Sequence, residues 1–278
     1  MRFGISTHLY HDQRLSREHL EEIAAHGFEA VEVFATRTHF DYHDAAAIDG
    51  LAAWLKDTGL ALHGIHAPVS EGLGRGNQWG EAISNAVSDT ARRQAAVREA
   101  DAALNIARRI PADVFVVHLG TPVEQGGENN RTAAFRSVEE ICRLAEPVGI
   151  RVALEVIVNP LSDGASLVEM LERDLDAPRT GICLDFGHAF LMGDVADTIE
   201  TVAEHLITTH VHDNKGKKDE HLVPFDGRIG WDIALMTMQK VGYDGTYLME
   251  IANTGGSTRA VLEQARSARS RFEKLMAF

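Results

Sequence analysis

Eight short runs of β-branched and apolar residues, each followed by a longer stretch with helical spacing, constrain this chain more than any other feature. The runs are 2–7 (RFGIST), 30–34 (AVEVF), 60–66 (LALHGIH), 114–119 (VFVVHL), 151–157 (RVALEVI), 180–185 (TGICLD), 206–211 (LITTHV) and 245–251 (GTYLMEI). Such alternation reads as repeated βα units, because parallel neighbours need a crossover of about a dozen residues or more. The best-marked helix opens at Ser16, an N-cap serine followed by Glu18 and closed by Gly27. Eight units without a linker predict an α/β chain closed into a single-domain (β/α)8 TIM barrel over 1–278, with an open doubly wound sheet as the alternative.

Charge and composition narrow the partners. The formal net charge is −14, which argues against a surface that tracks nucleic-acid phosphates, unless bound cations supply positive charge locally. No uninterrupted apolar run approaches the ~18 residues of a membrane span. The opening MRFGISTHLY enters a strand without the basic and apolar regions of a signal peptide, so the cytoplasm is the expected compartment. The two cysteines, Cys142 in an expected helix and Cys183 in an expected strand, read as buried thiols without a catalytic part.

In a barrel the reactive face lies at the C-terminal ends of the strands, and here those ends carry one chemical type. They offer His66, His118, Glu155, Asp185, His210 and Glu250 in strands three to eight. Alternation places Val152, Leu154 and Val156 on the helix-facing side and Glu155 inside; the same split puts Asp185, Glu250 and His118 inside. His, Asp and Glu make up 55 of 278 residues, so six hits in six positions arise by chance on the order of one time in ten thousand, before any freedom in placing the strand ends. Crowded carboxylates and imidazoles repel or stay unpaired unless cations neutralise them, which points to a metal site.

Two loops add to the cluster. DFGH places His188 three residues after Asp185, and THVHDNKGKKDEHL (209–222) returns Asp219 and His221 toward the same ions, with Lys215, Lys217 and Lys218 at a solvated tip. VSEGLGRGNQWG (69–80), with Gly72, Gly74 and Gly76, fits no phosphate-binding spacing and reads as a mobile loop over the site. His8 and His212 are candidate substrate contacts, and Glu32 faces inward as either a buried hydrogen-bonding group or a substrate contact. His63, an odd number from His66, is expected to point outward to a helix; His19, His26 and His205 are expected to be structural or at the surface.

GICLDFGHAF and THVHDNKGKKDEH, on this frame, resemble the xylose-isomerase-like TIM barrels, a superfamily of sugar isomerases and epimerases together with the endonuclease IV family of DNA repair enzymes; the resemblance spans the chain. It implies that Glu155, Asp185, His210 and Glu250 hold one divalent ion, as in the epimerases, and that His66, His118, His188, Asp219 and His221 complete the nine ligands of the trinuclear endonuclease site. Phe186 and Gly187 replace a Thr-Cys pair of the endonucleases, and no DNA-penetrating loops are recognisable, Arg37 being a possible remnant. The favoured function is therefore a metal-dependent isomerase or epimerase of a small sugar, sugar phosphate or polyol-like carbonyl compound. Glu155 and Glu250 would be its acid/base pair and His188 a substrate-orienting group or extra ligand. Zinc or manganese is expected before magnesium or cobalt, with one to three ions per chain. A trinuclear zinc phosphodiesterase acting on apurinic DNA is the alternative, and a metal-holding protein without catalysis the third reading.

Overall fold

The computed structural model describes residues 2–72, 79–253 and 256–277. Its strands are β1 (Arg2–Ser6), β2 (Ala30–Phe34), β3 (Ala61–His66), β4 (Val114–Val117), β5 (Arg151–Glu155), β6 (Thr180–Asp185), β7 (Leu206–Val211) and β8 (Thr246–Met249). All pair in parallel in sequence order, and β1 closes on β8. The closed barrel excludes the open sheet. Each strand coincides with an expected run; the last residues of runs one, four, five and eight and the first residues of runs three and eight, Leu60 and Gly245, fall outside the strands.

The helices are α1 (Arg17–Ala25), α2 (Ala45–Thr58), α3 (Thr90–Ala103), α4 (Asn105–Arg109), α5 (Arg131–Ala145), α6 (Gly164–Glu169), α7 (Phe186–Met192), α8 (Val195–Val202), α9 (Trp231–Lys240) and α10 (Thr258–Leu275). Ser16 caps α1 as expected, and Gly27 follows it at φ 83°. The main core lies between barrel and helices, where outward strand residues such as Val152, Leu154, Ile182 and Leu184 pack. Inside the barrel Val114, Val116, Ala153 and Cys183 form a small apolar layer. Polar groups seal the end beneath it. Arg2 reaches Asp113 at 2.7 Å, and His63 joins Thr208 of β7 at 2.8 Å.

That contact corrects the expectation for His63, which is buried inside the barrel rather than against a helix. The ladder pairs Val31 with Leu62 but Glu32 with Gly64, so His63 is a bulge residue. An extra residue in one strand reverses the facing rule on either side of it. His66 keeps its inward direction, and His63 gains one. No helix among the described residues is long and apolar enough to cross a membrane.

Candidate metal centre

The six strand-end groups meet at the barrel mouth. His66, Glu155 and Asp185 are the last residues of their strands, His210 is next to last, and His118 and Glu250 follow theirs directly. Ligand atoms of Glu155, Asp185, His210 and Glu250 lie within 4.8 Å of one another, as do those of His66, His118 and Glu155. A third group joins His188, His212, Asp219 and His221.

Glu155 links the first two groups. Its Oε1 lies 3.1 Å from His210 Nδ1, and its Oε2 lies 3.2 Å from His66 Nε2 and 3.1 Å from His118 Nε2. Glu250 Oε2 is 3.4 Å from the same His210 Nδ1. Asp185 caps α7 by accepting from the His188 backbone N–H at 2.6 Å, and its second oxygen meets His212 Nε2 at 3.0 Å. The helix thus begins immediately after β6, so His188 rides on its first turn rather than on a loop. His188 and His221 both place Nε2 at 3.0 Å from Asp219 Oδ2.

The long loop after β7 folds back as the sequence suggests. Asp213 and Leu222 exchange two backbone hydrogen bonds of 2.8 Å, which closes residues 213–222 and returns Asp219 and His221 to the mouth. The three lysines are exposed at its tip. The loop after β3 has a ribbon stem, with Ser70 bridging to Ala82 and Gly80 N–H bonded to the Gly72 carbonyl at 2.7 Å. Gly74 and Gly76 lie outside the described residues. The stem places Val69, Ser70 and Trp79 on the wall of a cavity of about 600 Å³ whose floor carries Glu155, His188 and Glu250.

Charge at this site is balanced only collectively. Burial would raise Glu155 and lower His210, yet their mutual attraction wins: the Glu155 carboxyl stays well below its usual range, and His210, ringed by carboxylates, stands well above its own. Burial also opposes protonation of His66, but Glu155 raises it to about 9; Asp219 likewise raises His221 to about 10. His8 goes the other way, lowered by burial and by His221.

Two observations test whether these residues suit a cation. His66, His188 and His221 each turn Nδ1 to a backbone carbonyl, that of Ala67 at 2.8 Å, Val156 at 3.0 Å and Glu250 at 2.8 Å. With Nδ1 so engaged, Nε2 of each points to the carboxylates of the mouth, where a cation would displace its proton, the orientation that metal-binding imidazoles adopt. The second observation is a set of buried atoms without hydrogen bonds: His118 Nε2, Glu155 Oε2 and Asp219 Oδ1. His118 Nε2 and Glu155 Oε2 lie 3.1 Å apart without hydrogen-bond geometry, and buried polar atoms left so are costly unless a cation supplies the missing partner. The residues fit divalent cations.

Several groups at this mouth were not expected as ligands: His212 was a candidate substrate contact, and Glu32 an inward residue whose buried hydrogen-bonding role the structure shows. His212 belongs to the third ligand group, and Glu32 bonds to His210. Cys183 is buried as expected, but it lies beneath the site, within 4.8 Å of ligand atoms of Glu155 and His210. Trp79 stacks on His11, which stacks on His8, forming an aromatic wall that no periodic signal marks.

The closed parallel barrel gathers these carboxylates and imidazoles at the C-terminal strand ends, the face where barrel enzymes carry their sites. Residues 20–274 match the xylose isomerase-like TIM barrel family, and the chain belongs to that family. It is 30% identical over 267 residues to the uncharacterized protein MJ1311 of Methanocaldococcus jannaschii, across 91% of this chain and 84% of that one. Among solved structures it is similar to a D-tagatose 3-epimerase-like protein, with a TM-score of 0.81, 25% identity and 99% and 98% of the two chains covered. The fold is shared too with the zinc-binding IOLI protein, at a TM-score of 0.80 and 15% identity with both chains covered in full.

Proposed function

We propose that this chain is a divalent-metal-dependent isomerase or epimerase of a small sugar, sugar phosphate or polyol-like carbonyl compound. The observation that carries the reading is the approach of two carboxylates, Glu155 Oε1 and Glu250 Oε2, to one imidazole nitrogen, His210 Nδ1, at 3.1 and 3.4 Å on the floor of a cavity of monosaccharide size. Similarity to a D-tagatose 3-epimerase-like protein supports the same class.

Glu155, Asp185, His210 and Glu250 would hold the ion. When bound, it supplies Lewis-acid polarisation to a substrate carbonyl. Glu155 and Glu250 would remove and return the proton on the carbon beside that carbonyl, from opposite sides for epimerisation. His188, fixed through Nδ1 to the Val156 carbonyl, would orient a substrate hydroxyl with Nε2. Phe34 and Trp79 line the same cavity and would offer aromatic faces to the substrate.

The test is wash-in of deuterium from solvent into D-tagatose or D-fructose, followed by NMR. Glu250→Gln keeps the shape but cannot act as a base, so exchange should fall by about 10²–10⁴ with the fold intact. Unchanged exchange removes Glu250 from the acid/base pair.

A second reading rests on the number of ligands, which form overlapping groups around Glu155 and His210 and a further group of His188, His212, Asp219 and His221. Three ions so placed suit hydrolysis of a phosphodiester, in which one activates water and the others stabilise the leaving oxygen.

A further inference from the structure

Glu32 is a completely buried carboxylate in the middle of a strand that carries no expected ligand. Its Oε2 lies 3.1 Å from His210 Nε2, and its Oε1 accepts from the Ser6 hydroxyl at 3.0 Å. Strands β2 and β7 are not neighbours, so the contact with His210 crosses the barrel interior. The strand beside Glu32 makes room for it. Gly64 sits opposite Glu32 in the ladder, and a Cβ there would lie 2.8 Å from Glu32 Oε2 and 3.1 Å from its Cγ.

The two nitrogens of His210 therefore face different partners. Nε2 faces Glu32, and Nδ1 faces Glu155 and Glu250. A buried carboxylate cannot donate, so Nε2 carries a hydrogen toward Glu32; by the same rule Nδ1 carries one toward Glu155 and Glu250 while no cation is bound, and a cation at that point would displace it and leave Nε2–H on Glu32. This is the reverse of His66, His188 and His221, whose Nδ1 meets a backbone carbonyl and whose Nε2 faces the carboxylates of the mouth.

We propose that Glu32 is a positioning residue of the metal centre, fixing His210 in its Nε2–H tautomer and aiming Nδ1 at the point shared with Glu155, Asp185 and Glu250. The inference rests on the reading that those four residues hold an ion. A carboxylate behind a ligating imidazole fixes ring orientation and raises ligand basicity, and its loss typically weakens metal affinity about 10–100-fold.

The test measures zinc and manganese affinity by competition with a chromophoric chelator for the parent protein, Glu32→Gln and Gly64→Ala. Gly64→Ala retains every carboxylate and imidazole but crowds Glu32, so it separates orientation from lost charge. It also carries the test if Glu32→Gln fails to fold. Both variants should bind about 10–100-fold more weakly. In the cobalt-loaded parent, proton NMR should show a strongly shifted, slowly exchanging imidazole N–H from His210, and Glu32→Gln should lose it. Affinity within twofold of the parent in both variants, with the N–H signal retained, overturns the positioning role and leaves the metal reading intact. A parent that binds neither ion overturns the metal reading and this inference with it.

Discussion

Replacing Asp213 by Asn should destabilise the protein more than a change of one atom suggests. Asp213 is fully buried, and its carboxylate collects five donors. Oδ1 accepts from the backbone N–H groups of Asn214, Arg228 and Ile229 at 2.9, 3.0 and 3.1 Å; Oδ2 accepts from Phe225 N–H at 3.0 Å and Trp231 Nε1–H at 2.8 Å. An amide keeps one acceptor oxygen and turns an NH2 toward the remaining donors. If the oxygen stays on the Oδ1 side, Phe225 N–H and Trp231 Nε1–H lose their acceptor. At roughly 1–3 kcal/mol for each buried unsatisfied group, the cost is about 2–6 kcal/mol. For a chain of this length that lowers Tm by roughly 10 °C. The damage has an address, since this carboxylate ties the start of the loop bearing Asp219 and His221 to its end, where Phe225 is held at a φ of 79°. Thermal unfolding by circular dichroism measures the first effect, and zinc stoichiometry the second, with the third ligand group expected to weaken. A Tm within about 2 °C of the parent refutes the reasoning that Asp213 staples this loop.

His39 should make the fold acid-sensitive. Burial pushes its imidazole down to about 4, with Nδ1 at 2.6 Å from the Gln13 carbonyl and Nε2 at 3.0 Å from the Thr7 hydroxyl. The unfolded chain binds the extra proton first, so the stabilisation is complete above about pH 6.5 and is lost as pH falls toward 4, by about 3 kcal/mol. His39→Gln should flatten urea-derived stability across that window; an unchanged slope contradicts the assignment. Replacing His66 and His118 together by Ala should remove one ion of a multinuclear centre while sparing the site at Glu155, Asp185, His210 and Glu250. Elemental analysis alongside cleavage of an abasic-site duplex at low salt reads both; cleavage by the parent that the double variant loses would favour the phosphodiesterase.

The barrel was legible because eight period-2 runs leave little freedom in strand placement, and because Glu155, Asp185 and Glu250 stand opposite clean apolar sets. Parity failed at His63, where a bulge in β3 breaks the alternation that the inference assumes, and a one-residue irregularity leaves no mark on composition. Asp185 was legible as an inward carboxylate at a strand end but not as the N-cap of α7. The residues that arrive from loops were visible only when they were chemically conspicuous: Asp219 and His221 were, whereas Trp79 and His11 depend on how the segment after β3 folds back. Glu32 was known to face inward, but its partner lies across the barrel on β7, a distance that local periodicity cannot encode. Gly227 belongs to the same class. A Cβ there would collide with Asp213 Oδ1, a constraint that exists only once the loop has closed.

The central claim is that the acids and imidazoles at this mouth hold divalent ions, and metal content per chain tests it most directly. Protein purified without chelator and analysed by inductively coupled plasma mass spectrometry should carry at least one zinc or manganese per chain, and Asp185→Ala should lower that number. Parent protein free of divalent metal, and unable to take up zinc or manganese on titration, would contradict the account.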